Sequence, residues 1–325
     1  MSQTRPSLVA RYSLRAGPSL ALVLLLVLFS VLSRQFLSLD NFSGIASQAS
    51  ILLVIAIGMT FVILLGGIDL SAEGVMAASS LVFVLLAQND RNTLDFGLLA
   101  VLAGVATGCL FGLANGLLHV YLRIPSFMVT LGTGAVGIGV ATVLFGGQAP
   151  RLLDGNMRSW GVESWFGVAR LTYLALAVLL IGYFIQRFTR IGRYAYVIGG
   201  DEQIARLSGI KISKYKVLVF VLSGAASGLA GVMAATQLGV GDVTIGAGQL
   251  FAAITAVVVG GTVLAGGRGG IEKTLVGAAL ITVLANGLII VGVSPYVQRA
   301  VQGVVIVIAV ALTGWSLRHR IRVVK

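Results

Sequence analysis

Ten stretches of this chain, approximately 18–36, 44–66, 72–88, 96–121, 124–146, 168–186, 215–237, 248–266, 273–293 and 296–317, are long and almost uninterrupted apolar runs. A hydrocarbon core of about 30 Å takes about 20 residues of helix, and every backbone N–H and C=O within it has to be paired inside the protein. The runs therefore predict an all-α transmembrane bundle of about ten spans. Only 10% of the 325 residues are charged, against about 25% in soluble domains, which is too few to cover a water-exposed surface of this size. The first run, Leu20 to Leu32, follows Arg5, Arg11 and Arg15 as a secretory signal would. The Ser33-Arg34-Gln35-Phe36 that comes next offers no cleavage pattern, so a retained span is expected.

Charge orients the spans. With the N-terminus on the cytoplasmic side, 17 of the 23 basic residues fall on that side. Arg34, Arg91, Arg151, Arg158, Arg170 and Arg299 fall outside, while the 11 acids divide five to six. Loops beside spans keep Lys and Arg in the cytoplasm, so an even number of spans with both termini cytoplasmic is expected. The organisation that follows is a cytoplasmic tail at 1–17, a membrane domain at 18–317 and a cytoplasmic tail at 318–325. Within the membrane domain lie a periplasmic loop at 147–167 and a cytoplasmic loop at 187–214. The formal charge of +12 is read as attraction to anionic lipid headgroups rather than to nucleic acid, because the basic residues sit between apolar blocks. The single cysteine, Cys109, lies inside an apolar run, where it packs as a small residue.

Residues for catalysis are missing from the pattern. Lys273-Thr274 follows Glu272 rather than glycine, so there is no phosphate-binding loop. His119 and His319 stand alone, so no metal, cofactor or catalytic site is expected. The spans carry neutral polar groups instead: Gln48, Thr60, Asn115, Thr130, Thr133, Gln237, Thr255, Thr262 and Asn286. Such groups either line a route for a hydroxyl-rich neutral solute or bond helix to helix. Asp69 and Glu73 are the main ionisable exceptions, near a break between two spans. Gly104, Gly108, Gly112 and Gly116, and Gly224, Gly228 and Gly231, form small-residue stripes read as helix contacts. Gly132-Thr133-Gly134-Ala135-Val136-Gly137 has the letters of a dinucleotide loop but no preceding strand, so it is read as helix. Gly66-Gly67-Ile68-Asp69-Leu70-Ser71 and Gly260-Gly261-Thr262 through Gly266-Gly267 predict interruptions at comparable places, which membrane proteins tolerate only beside a cavity or inside protein.

The loop from Arg187 to Lys216 contains seven basic residues. Inside it Asp201 is positioned to cap a short helix with Glu202 in its first turn, Ile204 and Leu207 on one face and Gly209 closing it. Such a helix serves either to lie among headgroups or to dock a partner.

The run from Arg190 to Ile210 resembles the cytoplasmic loop of the ribose-type permeases of bacterial ABC sugar importers. Gly58-Met59-Thr60 with Gly66 to Ser71 is similar to a second signature of that family, Asn115-Gly116 through Ile124-Pro125-Ser126-Phe127 to Thr130-Leu131-Gly132 to a third, and Ala256 to Gly267 to a fourth. The resemblance covers about residues 40 to 315. It implies a multi-pass protein of the bacterial inner membrane that pairs with a second copy or a paralogue and moves a neutral pentose, hexose or polyol. It also implies a cytoplasmic ABC ATPase that hydrolyses ATP on another chain and a periplasmic sugar-binding protein that delivers the cargo. Gly199, Gly200, Asp201, Glu202, Ala205, Arg206 and Gly209 would couple to the ATPase. Asp69, Ser71, Asn115, Thr130 and Thr262 would belong to the pathway or its gate. Trp160 and Trp165, in the outer loop, would anchor at the interface or touch the binding protein. The chain departs from the family pattern at Ala72-Glu73, where an extra acid stands, at Asp201 in place of asparagine, and at Gly248 to Ile254, which lacks acids. The rival readings are an ion-coupled sugar carrier using Asp69 and Glu73, a branched-chain amino acid permease of the same importer class, and a membrane-embedded enzyme.

Overall fold

The computed structural model describes residues 8–294 together with 297, 298, 300, 301, 303–305, 307 and 308. Most of the expected tenth span and the tail at 318–325 fall outside the described residues. Among the described residues α-helices run in the order α1 (Leu8–Leu32), α2 (Leu39–Leu64), α3 (Ala72–Leu86), α4 (Leu98–Tyr121), α5 (Ser126–Phe145), α6 (Gly155–Val162), α7 (Arg170–Phe188), α8 (Arg190–Gly200), α9 (Glu202–Leu207), α10 (Ile212–Leu238), α11 (Gln249–Gly260) and α12 (Ile271–Ile290). A short hairpin, β1 (Ser164–Trp165) with β2 (Val168–Ala169), interrupts the helices between α6 and α7. Among the described residues six helices, α2, α4, α5, α7, α10 and α12, are long and apolar enough to cross a membrane.

α2 is the axis of the bundle. It is buried over 89% of its apolar window, against 28% for α4 and α5 and 22% for α7. A helix apolar all round is stable only when surrounded, whereas the outer helices leave Leu98, Leu110, Leu131, Val143 and Leu180 exposed, as lipid contact requires. α4 packs most extensively on α10, and the glycine stripes of both helices form that seam. A Cβ on Gly108 would overlap the Gly224 carbonyl, and one on Gly112 would overlap that of Phe220. The Gly132 to Gly137 run lies within α5, where Gly134 and Gly137 let α3 approach at Gly74.

The loops gather at two ends. At one, the basic end, Gly267 N–H donates to Leu64 O (2.9 Å), Ile68 N–H to Ser126 Oγ (3.1 Å) and Ile271 N–H to Gln186 Oε1 (2.7 Å). At the other, Leu153 N–H donates to Gln88 O (2.8 Å), Gly241 N–H to Pro150 O (3.0 Å), and α6 packs on the end of α10 through Gly161.

Two expected spans are shorter than a membrane is thick. α3 has 15 residues and α11 has 12, lengths of about 22 and 18 Å at the helical rise. The run expected at 248–266 stops being helical after Gly260, and the turn to α12 occupies 261–270. α3 begins beside Gly134, whose backbone a Cβ on Gly74 would overlap, about 12 Å along α5. The non-helical residues 66–71 thus climb from the basic end to mid-depth before α3 starts. Residues 239–248 make the opposite descent: Gly241 lies against Leu81, and Gly246 against the backbone of Glu73. The two half-helices consequently start close together, with their N-termini meeting around Glu73. The apolar runs predict the first interruption but leave 238–247 as a connection between spans, whereas the chain there descends to Glu73.

Candidate functional site

The ascending segment is held by side chains from three helices. Asp69 is 1% exposed, and its Oδ1 accepts from Ser71 N–H (2.9 Å) and Ser71 Oγ–H (2.6 Å) while Oδ2 accepts from Ser223 Oγ–H on α10 (2.7 Å). Asn115 on α4 donates to Ser71 Oγ (2.9 Å) and accepts from Thr133 of α5. Thr130 Oγ1 accepts from Leu70 N–H (2.9 Å). A carboxylate taken out of water is costly unless its lone pairs are used, and these three bonds at the start of α3 use them. Four of the five expected pathway residues therefore form one connected network. Thr262, fully buried in the other break, accepts from Gly270 N–H (3.2 Å) and lies apart from them.

At the basic end three glycine pairs converge. Gly66 lies against Ala265 and Gly266, while Gly199 and Gly200, in the last turn of α8, lie against Leu64 O and Gly267. A Cβ on Gly199 would overlap the Leu64 carbonyl, so only glycine lets α8 rest on both breaks at once. Two side chains reinforce the seam. Tyr196 donates from its hydroxyl to Gly269 O (2.8 Å), and burial together with nearby Glu272 pushes its pKa up to about 12, so it remains a donor. Gln186, at the end of α7, accepts from Ile271 N–H and donates to Glu272 Oε2 (2.9 Å).

α9 follows directly. Asp201 Oδ1 accepts from Gln203 N–H (2.9 Å) and Ile204 N–H (3.0 Å), the cap the sequence predicts, and Gly209 closes the helix at φ 75°. Glu202 pairs with Lys216 of α10 (2.8 Å) and with Arg206 (3.5 Å). The Lys216 hydrogen bond, opposed by partial burial and aided by the nearby positive charges, holds the Glu202 carboxyl below its usual range. Both partners are partly exposed, so the pair contributes less than about 1 kcal/mol and acts mainly to orient α9 on α10. Ala205 is buried against the bundle, whereas Ile204 (58% exposed) and Leu207 (89%) point away from it. An apolar face presented between basic residues at the end of the bundle suits a protein partner or a headgroup layer.

A cavity of about 1000 Å³ lies elsewhere, among α2, α3, α10, α11 and α12. Gln48, Glu73, Gln237, Phe251, Thr255 and Thr282 line it, with no basic side chain among the described lining residues. None of Asp69, Ser71, Asn115, Thr130 and Thr262 reaches it. Gln48, Gln237 and Thr255 are legible as polar residues within apolar runs. Thr282 and Phe251 carried no signal, because neither stands out from its run until the helices are assembled.

A family model described as branched-chain amino acid transport system / permease component matches residues 41–310. The chain is 36% identical to the ribose import permease protein RbsC of Escherichia coli strain K12, over 90% of this chain and 91% of that one. It is 38% identical to RbsC of Bacillus subtilis strain 168, over 92% of both. The D-allose transport system permease protein AlsC of Escherichia coli strain K12 is 32% identical over 96% of this chain and 95% of its own length.

Proposed function

The chain belongs to the permease family that this model describes, and on that premise we propose that it is the membrane subunit of an ABC importer for a neutral monosaccharide or related polyol. It is a multi-pass membrane protein and a transport subunit, with ATP hydrolysis on a separate chain and cargo delivered by a separate binding protein. In our reading the basic end faces the cytoplasm, ten spans return both termini to that side, and two copies, or this chain and a paralogue, enclose the route within bacterial inner-membrane lipids. Asp201, Glu202, Ala205, Arg206 and Gly209 shape α9 as the helix that seats in the ATPase. Gly199 and Gly200 pass its movement to the two breaks.

One observation supports this most: the last turn of α8 touches both interrupted segments and leads straight into a capped helix whose apolar face is uncovered. The Asp69, Ser71, Asn115 and Thr130 network then serves as the framework of a gate, and Thr262 as its counterpart in the second break. Commitment of both Asp69 oxygens to protein donors argues against a coupling-ion site there.

Uptake by proteoliposomes containing the permease, its ATPase and its binding protein tests the reading. Accumulation of labelled D-ribose or D-allose is expected to require internal ATP and to be indifferent to a protonophore. Uptake that persists without ATP and collapses with the protonophore would refute it.

A further inference from the structure

Glu73 occupies a position that the importer reading leaves unused. It stands in the first turn of α3, yet its Oε1 accepts from Gly248 N–H (2.9 Å) and Leu250 N–H (3.4 Å), at the start of α11. One carboxylate thus serves two helix N-termini, each carrying roughly half a positive charge. Both bonds fall on Oε1, and a carboxylate has about four acceptor sites, which leaves Oε2 for a ligand. Glu73 also lines the large cavity.

The rest of the lining fixes the chemistry of what fits. Amides of Gln48 and Gln237 and hydroxyls of Thr255 and Thr282 offer donors and acceptors without charge, and Phe251 offers an apolar face. The positive helix ends are offset by Glu73 and by Asp69 behind it, so an anionic group finds no uncompensated partner. A carboxylate next to amides instead favours a solute with several hydroxyl donors. The space, about 1000 Å³, holds one such molecule with water around it.

We propose that this cavity is a polyol-binding site of the permease itself, in which Glu73 orients one neutral monosaccharide-sized solute and, by bonding it, loosens the link between α3 and α11. This rests on the importer reading and deepens it: the selection made by the binding protein is followed by a second, weaker one inside the membrane. The link is placed to matter. α3 and α11 join the two breaks that α8 grips at the cytoplasmic end, so the half-helices are tied at mid-depth by Glu73 and below by the glycine seam.

The test uses the permease with its ATPase in nanodiscs, without the binding protein, in a Cys109→Ala background. Gln48→Cys and Thr255→Cys variants are labelled with a small water-soluble thiol reagent at rising D-ribose or D-allose, with Leu153→Cys in the outer loop as control. Whichever sugar the complete system transports is expected to slow labelling at both cavity positions and leave the control unchanged. Adding Glu73→Gln, whose amide oxygen still caps α11, is expected to raise the half-protecting concentration about tenfold, the loss of one charge-assisted hydrogen bond. Absence of protection, or equal protection with Glu73→Gln, would overturn the site while ATP-driven uptake by the wild type still stood. If the complete system moves neither sugar with ATP, the importer reading itself fails.

Discussion

Asp69 shows how a single charged residue is made tolerable deep in the bundle: three hydrogen bonds and a helix N-terminus surround it. Asp69→Leu strands those donors at a cost of about 1–3 kcal/mol each. Thermal denaturation of the purified permease is expected to show a clear loss for Asp69→Leu and a smaller one for Asp69→Asn, whose carbonyl still accepts. Glu202 gives a prediction of a different kind. Its folded pKa is depressed, so the stabilisation it lends to α9 is complete above the unfolded value, about pH 4.3, and is lost as pH falls through the lowered folded value. A polarity-sensitive dye on a Leu207→Cys variant in the Cys109→Ala background is expected to report α9 loosening only in acid, and Glu202→Gln to remove that transition. The Asp201 cap was readable from the chain because a cap is a local device. The partners of Glu73 were not, since Gly248 lies 175 positions away.

Elements differ in how clearly they announce themselves. The six long helices follow directly from run length, and the α4–α10 seam from glycines spaced to share one face. The half-helices do not, because an apolar run does not tell helix from extended chain once the protein itself encloses it. Residues 261–266 are apolar and glycine-rich, so they extend an expected span, and the glycine-rich 239–248 segment, with Asp242 in it, reads as an outer loop although it descends to Glu73. The glycine stripes support a sharp contrast. Gly108→Leu would force α4 off α10, whereas Gly132 has open space where its side chain would grow. Gly108→Leu is expected to abolish recovery of folded permease in detergent, and Gly132→Leu to leave it near wild type. At the seam, Gly199→Val is expected to keep the subunit in the membrane with the ATPase bound while removing sugar-stimulated ATP hydrolysis.

On the scale of the whole molecule, α2 is a buried axis packed on α10 and α11, while α3 is held by α10, α5 and α4; the two half-helices start at mid-depth from opposite directions, and α8 grips their breaks at one end and leads into the exposed α9. The importer reading needs force to enter at α9 and reach those breaks. Crosslinking tests that most directly: a photoreactive maleimide on Leu207→Cys, in the Cys109→Ala background, with the ATPase and binding protein present. The expected product joins permease to ATPase, changes in yield with nucleotide, and resists reagents added from outside. Labelling of the same position by an impermeant external reagent, or a product containing no ATPase, would contradict it.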